Sequence, residues 1–130
     1  MAQEDRAAQV KQKDAALFRW SRKATPTLRS IDGSIKLARK ELAPDGDTLS
    51  SIGWHLGAAA MKAFEWMEAN PCPDKTSNSD IVDLLTTLAD TAASIETAAQ
   101  AASTPDLKGF DDILVSVGSK VTELLATSSG

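Results

Sequence analysis

Apolar residues recur along this chain at spacings of three and four, and the runs are separated by clusters of Pro, Gly, Asp and Ser. That rhythm is the helical one, in which positions three and four apart share a face. Five stretches emerge. The first is Gln3–Lys23, with large apolar residues only from Leu17 onward. Its early turns, residues 1–15, are expected to fray or to extend into solvent. Thr25-Pro26 then has the composition of a helix start, a capping hydroxyl followed by a residue that loses nothing at the first helical position. The second stretch, Pro26–Leu42, carries Leu28, Ile31, Ile35, Ala38 and Leu42 on one face. Gly33 in its middle is a candidate break, since Gly in a helix interior costs about 1 kcal/mol relative to Ala.

Ala43-Pro44-Asp45-Gly46-Asp47 reads as a turn. The third helix is expected over Thr48–Ala69, with Leu49, Ile52, Leu56, Ala59, Ala63 and Trp66 as its stripe. Trp54, Met61, Phe64 and Met67 widen that stripe, which suggests a central position in a bundle. Asn70-Pro71-Cys72-Pro73 stops it. A fourth helix capped by Asn78 or Ser79 is expected over Asp80–Ala102, on Ile81, Leu84, Leu85, Leu88, Ala92 and Ile95. Thr104-Pro105 repeats the start signal. The fifth helix carries Phe110, Ile113, Leu114, Val117, Val121, Leu124 and Leu125, and fades into a disordered tail at 127–130. No segment sustains the period-2 alternation of a half-buried strand. The expected fold is a single all-α domain over 1–130, an antiparallel bundle of four to five helices.

Composition agrees and sets the scale. The chain has 130 residues, 42% of them hydrophobic, and much of that fraction is Ala. One core of modest thickness fits, and a second does not. One His and one Cys exclude a multi-ligand Cys/His zinc site and an internal disulfide.

Charge changes the picture more. The net charge is −4, yet residues 1–43 hold ten of the 14 Lys and Arg against five acids, while residues 44–130 hold four against 13. Such a split marks a basic surface for an anionic partner, or two parts that face each other within one chain or between copies. The basic candidates are Arg19, Arg22, Lys23, Arg29, Lys36, Arg39 and Lys40, interrupted only by Asp32. Arg29, Lys36 and Lys40 fall near one stripe of an ideal helix, with Phe18 and Trp20 beside it to supply stacking. An acidic chain with a sequence pI near 4.9 lacks the usual basic footprint of a nucleic-acid binder. Trp20, between Arg19 and Ser21, is expected to be a partly exposed partner contact.

Motifs for chemistry are sparse. His55 would serve as a general base, or as a haem ligand opposite Met61 or Met67, but the sequence holds no Cys-x-x-Cys-His. Cys72 sits between two prolines, with no imidazole near enough along the helix to activate it. There is no Glu-x-x-His, no phosphate-binding Gly-rich loop and no Gly-x-Ser-x-Gly. The sequence therefore points to a non-enzymatic interaction module without a cofactor, acting on a protein partner or a second copy of itself. Nucleic acid at residues 19–40 is the alternative, and a haem or metal bundle at His55 a remote one. With no targeting signal and no membrane-spanning run, a cytoplasmic location with no membrane partner is expected.

Overall fold

The structure, a computed structural model, describes residues 2–101 and 105–129, with side chains for 15–101 and 105–126. Four helices follow one another: α1 (Ala2–Glu41), α2 (Gly46–Ala69), α3 (Lys75–Gln100) and α4 (Leu107–Ser129). Each packs on its neighbours in sequence and α4 closes onto α1, while the diagonal pairs α1/α3 and α2/α4 do not approach among the described residues. The result is an up-down-up-down ring around one core, the all-α bundle that the apolar rhythm implies. The fraying expected over 1–15 and the tail expected at 127–130 fall almost wholly outside the described side chains.

The bundle has four helices because the first two expected helices are one. α1 runs through Thr25-Pro26 without interruption. Its core-facing positions explain this. Leu17, Ser21, Ala24, Leu28, Ile31, Ile35, Ala38 and Leu42 alternate steps of four and three across the proline, and six of the eight are buried. A break at residue 25 would put the two halves of that stripe out of phase. Pro26 is exposed, so the carbonyl of Arg22 that loses its donor faces water. Thr25 does not cap; its hydroxyl donates to the Ser21 carbonyl at 2.9 Å, inside the helix. Nor does the helix break at Gly33, which sits on the outer surface with open space around it.

Asp residues set the other three helix starts. Asp45 accepts from the backbone N–H of Thr48 at 3.2 Å and from its hydroxyl at 2.8 Å. These two bonds, the hydroxyl's the larger effect, hold the Asp45 carboxyl below its ordinary range. Asp74 accepts from Ser77 N–H at 2.9 Å and from its hydroxyl at 2.7 Å, and Asp106 accepts from Gly109 N–H at 3.0 Å. The Asp74 cap starts α3 five residues before Asp80, ahead of the Asn78 and Ser79 caps expected from the sequence.

Small residues make α2 and α3 the most closely packed pair. A Cβ on Gly46 would lie 2.9 Å from the Ala99 carbonyl oxygen. One on Gly53 would lie 3.0 Å from the Ala92 carbonyl oxygen. Leu85, Leu88 and Ile95 of α3 and Leu49, Leu56 and Ala63 of α2 fill the core at this seam. Leu114, Val117 and Val121 close it from α4.

α1 has 40 residues, about 60 Å at the helical rise, whereas α2 has 24, about 36 Å. Trp20 Nε1 donates to the carbonyl of Asn70 at 2.7 Å, which sets residue 20 level with the end of α2. The part of α1 before Leu17 therefore runs on past that end.

Candidate functional site

Trp20 is not the exposed contact the sequence suggested. It is buried, its ring lies 5.8 Å from that of Trp66, and its N–H is taken by Asn70. Helical phase decides this. Trp20 falls one turn before Ala24 on the core stripe, while Arg19 and Arg22 flank it on the outside.

The seven basic residues are all exposed, but they do not form one group. Arg22, Arg29 and Lys36 recur every seven residues, about 10 Å apart, along the ridge of α1 opposite the core. Lys40 continues this line and Phe18 begins it, with the Arg22 guanidinium 5.9 Å from the centre of its ring. Arg19 and Lys23 sit to the α2 side. Arg39 turns the other way, toward α4, where its Nε donates to Asp111 Oδ1 at 2.8 Å. That hydrogen bond raises the guanidinium above its ordinary value. Lys36 pairs with Asp32 one turn earlier at 2.9 Å.

Arg39–Asp111 is the one ion pair among the described residues that joins the basic part of the chain to the acidic part. Exposed Asp83 and Asp90 stand on α3, at the corner diagonal to α1. On α4, by contrast, Glu123 lines a groove with Lys36 and Arg39 of α1, so among the described residues the two charged parts meet along the α1/α4 seam.

A different surface stands out between α1 and α2. A groove of about 440 Å³ is lined by Ser34 and Leu37 from α1 and by Trp54, His55, Ala58 and Lys62 from α2, among others. Leu37 is 50% exposed and Trp54 64% exposed; Met61, one turn past Ala58 on the same ridge, is 61% exposed. The sequence assigned Trp54 and Met61 to a widened core stripe. The ring arrangement overrules that, because a corner helix has two neighbours and an outer face, and residues 54, 58 and 61 lie on the outer face. Spacings of four and three make them a short apolar strip.

His55 sits at this groove edge-on to Trp54, ring centres 5.1 Å apart, and is exposed. It is turned away from the core, where a haem within the bundle would lie. Met61 projects from another side of the helix, and Met67 is in the core. Among the described residues no three His, Cys, Asp or Glu side chains gather where a metal ion would fit.

Cys72 is buried at the α2–α3 turn. Burial pushes its thiol up, and the Asp74 carboxylate adds to this against an opposing backbone hydrogen bond. The native protein is expected to react slowly with iodoacetamide at pH 8, and at the rate of a free thiol once denatured. Mass-spectrometric counting of the adduct over time checks this.

Among the described residues no helix is long and apolar enough to cross a membrane. Fold and surface together define an all-α bundle with an exposed apolar strip beside a cationic ridge. Compared with family models, curated proteins and solved structures, the chain matches none.

Proposed function

We propose that this bundle is a non-enzymatic interaction module that binds a protein partner through the groove between α1 and α2. The observation that carries the reading is the exposed strip of Trp54 and Met61 with Leu37 across from it. Large apolar side chains clustered at a surface mark contact sites, and Trp is enriched among the residues that dominate binding energy. Magnitudes favour the strip over the charges as the anchor. Covering what these three side chains now expose contributes about 3–5 kcal/mol. An exposed ion pair contributes about 0.2–1 kcal/mol. The cations of α1 then steer and orient the partner.

The test compares wild type with Trp54→Ala in affinity purification from the native cell, with nuclease treatment and mass spectrometry. A partner held by the wild type is expected to drop about 30-fold or more in affinity, the loss of about 2 kcal/mol typical of a central Trp. Stability, read by urea unfolding, is expected to stay within about 0.5 kcal/mol. Undiminished recovery of every partner would sink the reading.

A second reading, nucleic-acid binding, draws on the line of Arg22, Arg29, Lys36 and Lys40 beside Phe18. It ranks lower because Lys36 already has a carboxylate partner and Arg39 is drawn off the line. About three phosphate contacts imply a log–log salt slope near −2 on a single strand. Gel-shift titration of a 20-nucleotide single strand between 20 and 200 mM salt measures it, and reversing Arg22, Arg29 and Lys36 to Glu is expected to abolish the shift. No shift at 20 mM salt removes this reading.

A further inference from the structure

We infer that a second copy of this chain covers the α1/α2 groove, in a two-fold dimer whose axis runs parallel to the helices; this rests on the interaction reading above and names the partner. Topology supplies the first argument. The Trp20 bond to Asn70 sets residue 20 level with residue 70, and Leu37 and Trp54 line the groove together. Each step up α1 is therefore a step down α2. A two-fold axis along the bundle turns this face over, keeps every level, and lays α1 of one copy on α2 of the other. The four helices at the contact then alternate in direction. Leu37 of each copy meets Trp54 of the other, so the two most exposed apolar side chains of the groove are covered twice over. Ser30 lies within a turn of Ala58 of the other copy, and these short side chains let the helices approach.

Area supplies the second. The face is two helices wide, about 20 Å, and as long as α2, about 36 Å, so about 700 Å² of each copy is covered. The total, about 1,400 Å², is that of a stable interface. A peptide filling only the groove, about 16 Å from Ser30 to Glu41, covers less than half as much.

Charge chooses between the two-fold arrangements. α1 carries exposed Lys23 and Lys40 on this side, and α2 carries exposed Asp47 and Glu65. By level, Lys23 of one copy lies within a turn of Glu65 of the other, and Lys40 within a turn of Asp47. An axis across the helices would instead lay α1 on α1 and α2 on α2, cation on cation and acid on acid. Near the parallel axis Glu41 and Lys62 each face their own equivalent, the two like pairs being about 20 Å apart along it. These pairs limit the affinity.

Sedimentation equilibrium of the full chain, from about 5 to about 500 µM, reads the association, which is expected to stop at a dimer. Trp54→Ala is expected to weaken it about tenfold or more, because the ring is lost from both contacts. Glu65→Lys is expected to weaken it about tenfold, and adding Lys23→Glu to restore it. Glu41→Gln is expected to tighten it about threefold by removing a like pair. Chains carrying Ser30→Cys and Ala58→Cys, with the buried Cys72 left in place, are then mixed and oxidised. The expected link joins residue 30 of one chain to residue 58 of the other, in excess over links between identical positions.

A monomer throughout the range overturns the inference, as does growth beyond a dimer. So does a dimer indifferent to Trp54→Ala, one that Lys23→Glu fails to restore in the Glu65→Lys chain, one loosened by Glu41→Gln, or a predominant link from residue 58 to residue 58. If the chain is monomeric while Trp54→Ala releases another cellular protein, the second copy fails and the interaction module stands. If it is monomeric and nothing is released, both fail.

Discussion

Replacing Trp20 by Ala is expected to cost about 3–5 kcal/mol of stability, the range for removing a buried aromatic side chain. The ring fills the end of the core between α1 and α2, against Trp66, and its N–H holds the carbonyl of Asn70 where α2 stops. The truncation leaves a cavity and also strips that carbonyl of its donor. Trp20→Phe keeps most of the ring but not the hydrogen bond, and is expected to cost about 1–2 kcal/mol. Urea unfolding of the two variants checks both values. A Trp20→Ala chain as stable as wild type would mean that the ring is not packed as described. Any loss of a partner in this variant should go together with loss of fold, in contrast to Trp54→Ala.

Gly53→Val is expected to destabilise by about 3 kcal/mol, at the upper end of ordinary overpacking. The added Cβ runs into the Glu96 Cγ, which can swing away. It also lies 3.0 Å from the Ala92 carbonyl oxygen and 3.2 Å from the Glu96 backbone nitrogen, which can move only if α3 moves. Gly57→Ala, one turn on, is the control. Its Cβ would meet only the Ala92 Cβ, at 3.8 Å, an ordinary contact. There the higher helix propensity of Ala is expected to stabilise by up to about 1 kcal/mol. Thermal unfolding of the two variants should show opposite signs, and matching signs would contradict the close approach of α2 and α3 at residue 53.

The core faces were legible in the sequence because burial writes itself as spacing. Leu28, Ile31 and Ile35, then Ile81, Leu84, Leu85 and Leu88, then Leu114, Val117 and Val121 all lie inward as their period implies. Pro26 misled because a local start signal competes with a longer-range one. The unbroken 3–4 alternation from Leu17 to Leu42 carries more residues, and it prevails. Asp45, Asp74 and Asp106 each cap by accepting from the residue three positions on, a pattern visible as Asp followed by Thr, Ser or Gly at that distance. The pattern places the start of α3 at Lys75, ahead of the Ser and Asn residues that drew attention instead.

The candidate site was harder to read. Periodicity cannot tell an apolar residue facing the core from one facing a partner. The available clue was excess: α2 carries apolar side chains over more of its circumference than two neighbours can cover, and Trp54 and Met61 are the surplus. Trp20 was misjudged for the opposite reason. Its polar sequence neighbours suggested exposure, although neighbours in sequence on a helix point in other directions. Arg29, Lys36 and Lys40 are exposed, and Lys36 also lines the groove between α1 and α4. Arg39 departs from the group because Asp111, 72 residues away in sequence, draws it toward α4.

The three tryptophans also give the protein two optical signals of its own. Trp20 and Trp66 pack against each other at the end of the bundle, while Trp54 stands in water. Emission from the first pair changes when the bundle opens; emission from the third changes when its surface is covered. A collisional quencher such as iodide reaches Trp54 and not Trp20, so the two contributions separate by subtraction. Unfolding and docking can thus be followed in one unlabelled sample, each through its own indole.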